Sequence, residues 1–170
     1  MRKVTIVAYD ERWPDLFDAE SARLQMTLGK AISRIHHIGS TSVPGLAAKP
    51  VIDILLEVVG LNELDQFNTA MERIGYTVRG ENGIPNRRYF TKGGEKRSHQ
   101  VHAFVTGDRQ IQKHLAFRDY LIKNKKAAER YVEIKYAAAL ASENDIHRYS
   151  AFKADFIEHH LRLALMSREG

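Results

Sequence analysis

The chain contains no cysteine. That excludes a disulfide framework, a thiolate metal site and a cysteine nucleophile, and it fits a reducing, cytoplasmic setting. No segment approaches the roughly 18 consecutive apolar residues a membrane helix needs, so no membrane partner is expected. The first residues, MRKVTIVAYDERW, lack the apolar run of a signal peptide. Internal repeats and low-complexity linkers are also missing. What is present is an ordinary globular composition, 170 residues with 44% hydrophobic and 28% charged. This is enough chain for one domain with a full core. The expected layout is a single domain over 1–170, with a sheet-containing core in 1–107 and a helical part in 108–170.

The formal net charge is +5. A basic excess favours anionic partners such as nucleotides or RNA. Because Lys and Arg are spread along the chain, the same excess also reads as a solubility device. No arginine stripe interleaved with aromatics is present, so RNA ranks last among the partners. Nothing in the sequence sets the oligomeric state.

Periodicity gives the outline. Residues 4–9 read as a short edge strand. Pro14, with Asp15 nearby, opens a helix to about Lys30, with Leu16, Phe17, Leu24 and Leu28 as its apolar stripe. Residues 35–38 form a strand, and 51–59 are so continuously apolar that they read as a buried central strand. A helix starts at 62 or 63 and ends near Gly75. A strand over 76–79 and a hairpin of 88–91 and 98–105 around Gly93-Gly94 follow. Helical spacing then covers 108–123, 125–141 and 145–166. Strands first and helices last predict an α+β fold.

The stretch richest in chemistry is 36–57, HHIGSTSVPGLAAKPVIDILLE. A strand runs into Gly39-Ser40, a loop carries Thr41, Ser42 and Lys49, and Asp53 emerges inside the next apolar strand. Glycine lets a backbone approach an anion, and successive amides make an anion-binding concavity. The plainer reading of the loop is good turn chemistry. An ionised carboxylate in an oily strand is costly unless paired or metal-bound, so Asp53 is either a metal ligand or an ion-pair partner. Strand alternation puts Asp53, Leu55 and Glu57 on one face.

Further candidates follow. His102 lies on a neighbouring strand and could serve as metal ligand or general base, or simply bond to Asp53. His99, three residues earlier, should face the opposite way. Of Arg87 and Arg88, only one should point toward the site, as a phosphate ligand. Arg118 reads as structural, and Lys135 as a solvated residue. Tyr149 and Lys153 are helical neighbours that either hold a base and a phosphate or pack and snorkel.

The Gly-Ser turn, a loop of this length and an Asp in a strand resemble the signature of the nucleotidyltransferase fold. The string HIGSTSVPGLAAKPVIDI resembles the GrpB family closely. HQVH at 99–102, HLAFRDYL at 114–121, and Tyr149 and Lys153 with Phe156-Ile157 match that family as well. The resemblance therefore runs from about Tyr9 to Phe156. It implies a small mixed or antiparallel sheet flanked by helices. It also implies a nucleoside triphosphate or other phosphorylated ligand held by Gly39, Ser40, Thr41, Ser42 and Lys49. The catalytic pair would be Asp53 and His102, with Mg²⁺ on Asp53, His102 or Glu57. The reaction would move a nucleoside monophosphate onto an unidentified acceptor. Active members of the fold usually carry a second carboxylate two residues after the first, and here that position is Leu55. This departure favours the alternative, a non-catalytic nucleotide- or phosphate-binding protein.

Overall fold

A computed structural model describes residues 5–141, 154 and 157–166. The N-terminal edge strand reduces to a single bridge, with Val7 and Ala48 exchanging backbone hydrogen bonds. Helix α1 (Trp13–Leu28) starts as expected, with Pro14 in its first turn, where a missing N–H removes no helical bond. Its apolar face differs from the expected stripe. Leu24 and Leu28 are buried but Leu16 is 47% exposed, and Trp13 and Glu20 complete the inner face.

Strand β1 (Ile32–Ile38) begins three residues before the expected start. Exposed Ser33 and Arg34 and a register shift between Ile32 and Arg34 hide that end from any alternation pattern. After β2 (Ile52–Val58), the helix expected over 62–75 is two short ones, α2 (Leu61–Asp65) and α3 (Asn68–Arg73). Gly75 ends the pair in a left-handed conformation, φ +101°. Strands β3 (Tyr76–Val78), β4 (Arg88–Lys92) and β5 (His99–Val105) follow. The β4–β5 turn needs Gly93: its φ is +100°, and a Cβ there would lie 2.4 Å from the Lys96 carbonyl. Helix α4 (Arg109–Lys123) is capped by the Asp108 carboxylate, which accepts the Gln110 amide, and α5 (Lys125–Ala141) follows directly.

The strands form one sheet in the order β1-β2-β5-β4-β3. Only β2–β5 is parallel; β1–β2, β4–β5 and β3–β4 are antiparallel. The architecture is the expected α+β, with a small mixed sheet. One face is oily: Ile52, Ile54, Leu56 and Val58 of β2 pack with Trp13, Leu24, Leu28, Met71, Phe90 and Val101. On the other face Leu55 meets Ile38, Phe104 and Ile111 under α4. A satellite cluster of Val43, Leu46, Leu121, Ala128 and Tyr131 joins the Gly39–Lys49 loop to α4 and α5. Residues 154 and 157–166 are helical. The other positions of the helix expected over 145–166, including Tyr149 and Lys153, lie outside the described residues. No helix among the described residues is long and apolar enough to cross a membrane.

Candidate functional site

The site is built where β1 ends. Ile38 pairs with Asp53 across β1 and β2, so the next residue, Gly39, passes directly over the Asp53 carboxylate. The fit is tight: φ at Gly39 is +73°, and a Cβ there would stand 2.6 Å from Asp53 Oδ2. A 3-10 turn over Ser40–Ser42 follows. It uses two of the expected phosphate ligands internally. The Ser42 hydroxyl donates to the Gly39 carbonyl. Thr41 is buried, and its hydroxyl bonds His37 Nε2 at 2.9 Å. Ser40 instead hydrogen-bonds the Tyr131 phenol, whose pKa burial pushes up to about 12.

On β5 the expected separation of the histidines is present. His99 is on the side of buried Glu20, and burial lowers its pKa. His102 is on the Asp53 side, with Nε2 3.3 Å from Asp53 Oδ1. Arg87 Nη1 lies 3.4 Å from the other ring nitrogen, Nδ1. A guanidinium only donates, so Nδ1 accepts and Nε2 carries the proton that points at Asp53. Arg87 is itself fixed. It donates to the Glu81 and Asn82 carbonyls and lies 4.5 Å over the Tyr89 ring. Burial lowers its pKa from the ordinary arginine value. His114 stacks obliquely on His102, 5.7 Å between ring centres. Burial first, then the neighbouring His102, brings the His114 pKa down to about 4, so it is neutral at pH 7.

These groups open onto a cavity of about 440 Å³ between the sheet face, α4, α5 and helical residues 157–166. Among the described residues, four basic side chains line it, Lys49, Lys113, Arg118 and Lys135, against one carboxylate, Asp53. Phe117, Leu121, Ile157 and Leu161 supply an apolar wall. Arg118 has the expected structural contacts, donating to Asp119 and to the His37 carbonyl, while also lining the cavity.

Lys135 corrects the sequence reading. It is not solvated: 2% of it is exposed, its ammonium donates to the Ala47 carbonyl at 2.8 Å, and it lies 5.0 Å from the Tyr131 ring centre. Its alanine-rich surroundings in sequence gave one usable signal, an apolar helix face for the lysine to share. Two further candidates are elsewhere. Arg88 points to the opposite face, where it forms a forked pair with Asp65 at 2.7 and 3.1 Å. Glu57 pairs with His36 Nε2 and does not line the cavity. Four residues of strand separate it from Asp53, about 13 Å at strand rise.

The fit to Mg²⁺ is therefore poor. No group of three or more His, Cys, Asp or Glu that could hold a metal ion exists among the described residues. Mg²⁺ prefers oxygen donors in octahedral array, and two-metal transfer needs shared carboxylates. Among the described residues that line the cavity Asp53 is the one carboxylate, Leu55 at the second carboxylate position is fully buried, and His102 beside Asp53 is an imidazole.

A sequence profile of the GrpB protein family matches residues 3–163. The chain belongs to the GrpB family. It is 46% identical over 157 residues to the UPF0157 protein YqkA of Bacillus subtilis, covering 92% of this chain and 46% of YqkA. It thus spans about half the length of that relative. The crystal structure of the conserved protein GrpB from Enterococcus faecalis superposes with a TM-score of 0.94 at 38% identity, covering 98% of this chain and all of that one. The Cid1 poly(U) polymerase structure with MgGTP bound superposes with a TM-score of 0.56 at 18% identity, over 78% of this chain and 44% of Cid1. This second likeness is one of fold: the GrpB chain has a nucleotidyltransferase-like fold.

Proposed function

We propose that the cavity binds a nucleoside triphosphate or a closely related phosphorylated small molecule. The observation that carries this reading is the charge of the wall, four cations to one carboxylate among the described residues, next to an apolar surface of Phe117, Leu121, Ile157 and Leu161. A phosphate chain is complementary to such a wall, since it offers negative charge and several acceptors to lysine and arginine donors. The apolar wall suits the flat ring of a nucleobase. Lys49 and Ser40 stay in the proposed binding set; Thr41, Ser42 and Arg88 leave it as direct ligands. Arg87 acts through His102.

A second reading is transfer of a nucleoside monophosphate from the triphosphate to an acceptor hydroxyl. The position of Asp53 directly under the Gly39 turn supports it. The acceptor oxygen would bond to the α-phosphorus as the bond to pyrophosphate breaks, and the acceptor's proton would pass to Asp53. His102, hydrogen-bonded to Asp53, would keep the carboxylate oriented. We place the whole 1–170 segment in one domain that carries this site.

Calorimetric titration with ATP, GTP, CTP and UTP tests the binding reading. Saturable 1:1 binding of at least one nucleotide is expected, and failure of all four together with inorganic tripolyphosphate would refute it. Pyrophosphate release over an acceptor screen tests the second. Release that survives Asp53→Ala would remove Asp53 from the chemistry.

A further inference from the structure

Resting on the transfer reading above, we infer that the cavity holds a second subsite, built from Gln100, Gln110, Lys113 and His114, and that the acceptor it takes is a hydroxylated small molecule bearing an anionic group, as in a sugar phosphate or other polyol phosphate. The order of the strands sets the direction of approach. Asp53 on β2 has Ile38 of β1 as its cross-strand neighbour on one side and Gln100 of β5 on the other. The Gly39-Ser40 turn, where the phosphate chain is proposed to lie, follows Ile38 directly. In phosphoryl transfer the attacking and leaving oxygens stand roughly in line, on opposite sides of the phosphorus. With pyrophosphate leaving on the β1 side of Asp53, the acceptor hydroxyl approaches from the β5 side. Its oxygen bonds to the α-phosphorus, the bond to pyrophosphate breaks, and its proton passes to Asp53.

The side chains on that flank suit such a molecule. Gln100 and His102 are two apart on β5, so they share the face that looks into the cavity. Helix α4 lines the same space with Gln110, Lys113, His114, Phe117 and Leu121, one helical face about 16 Å long. That face changes character along its length. Its C-terminal half, Phe117 and Leu121, is apolar and belongs to the proposed nucleobase wall. Its N-terminal half is polar. His114 brings that half against His102, 5.7 Å between ring centres, and so to the flank of Asp53 where Gln100 stands. A neutral His114 offers one donor and one acceptor, and burial keeps it neutral at pH 7. Each glutamine adds an amide donor and a carbonyl acceptor. The oxygens of an ionised phosphate chain only accept, so they would leave the acceptors of this set unmatched. Hydroxyl groups both donate and accept, and match both kinds of atom. Lys113, close enough to His114 for its charge to help lower that pKa, adds a cation for the anionic substituent.

The test is an NMR titration of the full, isotope-labelled chain loaded with α,β-methylene-ATP, from which no pyrophosphate can leave. The added probes are glycerol 3-phosphate, ribose 5-phosphate and glucose 6-phosphate, with glucose as the uncharged control. The proteins are wild type, Gln100→Leu, His114→Phe and Lys113→Met, each checked by thermal melting. At least one polyol phosphate should bind wild type about tenfold or more tighter than glucose. Gln100→Leu and His114→Phe should each weaken it about threefold or more, while the affinity for the ATP analogue stays within about twofold. Lys113→Met should abolish the preference for the phosphorylated sugars over glucose. Binding of the analogue without binding of any polyol phosphate would overturn this inference and leave the nucleotide reading intact. So would Gln100→Leu and His114→Phe weakening the analogue as much as the polyol phosphate, since both side chains would then belong to the nucleotide's own subsite. Gln100 is half-buried and Gln100→Leu keeps its size, so this variant decides the matter even where His114→Phe fails to fold. Failure of wild type to bind the analogue would overturn both readings.

Discussion

Ile52, Ile54, Leu56 and Val58 of β2 look toward α1 and α3, whereas Asp53, Leu55 and Glu57 of the same strand look toward α4. The first set is uniformly apolar and belongs to the main core. The second alternates charge, leucine and charge, and each carboxylate has a histidine: His102 for Asp53, His36 for Glu57. The Asp53–His102 pair lines the cavity described above, and the Glu57–His36 pair is not part of its lining. The difference teaches that a carboxylate in an oily strand does not by itself mark a site. Glu57 pairs with His36 at the far end of the strand, while Asp53 meets a glycine turn and lines the same cavity as Lys49, Lys113, Arg118 and Lys135.

The comparison breaks most severely at Leu55. Leu55→Asp places a charge among Ile38, Phe104 and Ile111, and urea unfolding should show a loss on the order of 5 kcal/mol or no cooperative transition. A stable variant that gains Mg²⁺-dependent nucleotide binding would show that the α4 face accepts a metal centre after all. On the opposite face Ile54→Ala should cost about 3 kcal/mol through the cavity it leaves, with affinity per folded molecule unchanged.

A pH experiment sharpens the same contrast, because each face holds a histidine that burial depresses to about 4, His37 against Phe17 and His114 beside His102. Their folded values lie below the unfolded value, so the unfolded chain binds more protons. Stability should be fully present above about pH 6.5 and decline as pH falls toward 4, on the order of 1–3 kcal/mol per histidine. His37→Phe and His114→Phe should each flatten part of that slope in melts from pH 7.5 to 4; an unchanged slope in both would contradict the burial.

Gly39→Ala forces a side chain into left-handed backbone and against the Asp53 carboxylate. It should cost about 1–2 kcal/mol in chemical unfolding and also lower nucleotide affinity. The smallest effect belongs to the second carboxylate: Glu57→Gln should change stability by about 1 kcal/mol or less and leave nucleotide titrations as they are.

Much of this contrast was legible in the sequence because it depends on local chemistry. The unbroken apolar run of β2 announced a central strand, and Gly39-Ser40 with Asp53 announced a tight turn beside a carboxylate. Histidines three apart on β5 had to face opposite ways. What stayed hidden depends on tertiary neighbours. Nothing near Arg87 and Arg88 says that Asp65, more than twenty residues earlier, claims the second of them. Lys135 looks like any helix lysine until Ala47, 88 positions away, and the cavity enclose it. The start of β1 was missed for a different reason: an exposed edge strand has little alternation to reveal.

The parallel seam between β2 and β5 has a consequence for the order of assembly. Strands β1 and β2 are consecutive and joined by the 39–51 loop, and β4 and β5 by a hairpin turn, so each pair closes at a smaller loop-entropy cost than the seam. Ile52 and His99 are neighbours across the seam although 47 positions separate them, so joining the two ribbons is the late, non-local event. Asp53 stands on one ribbon and His102 on the other. The site therefore comes into being only when the seam zips. In stopped-flow refolding, competence to bind ligand should arrive with the main folding phase and not with the faster hairpins. A chain that can bind is thereby one whose two halves have already found each other.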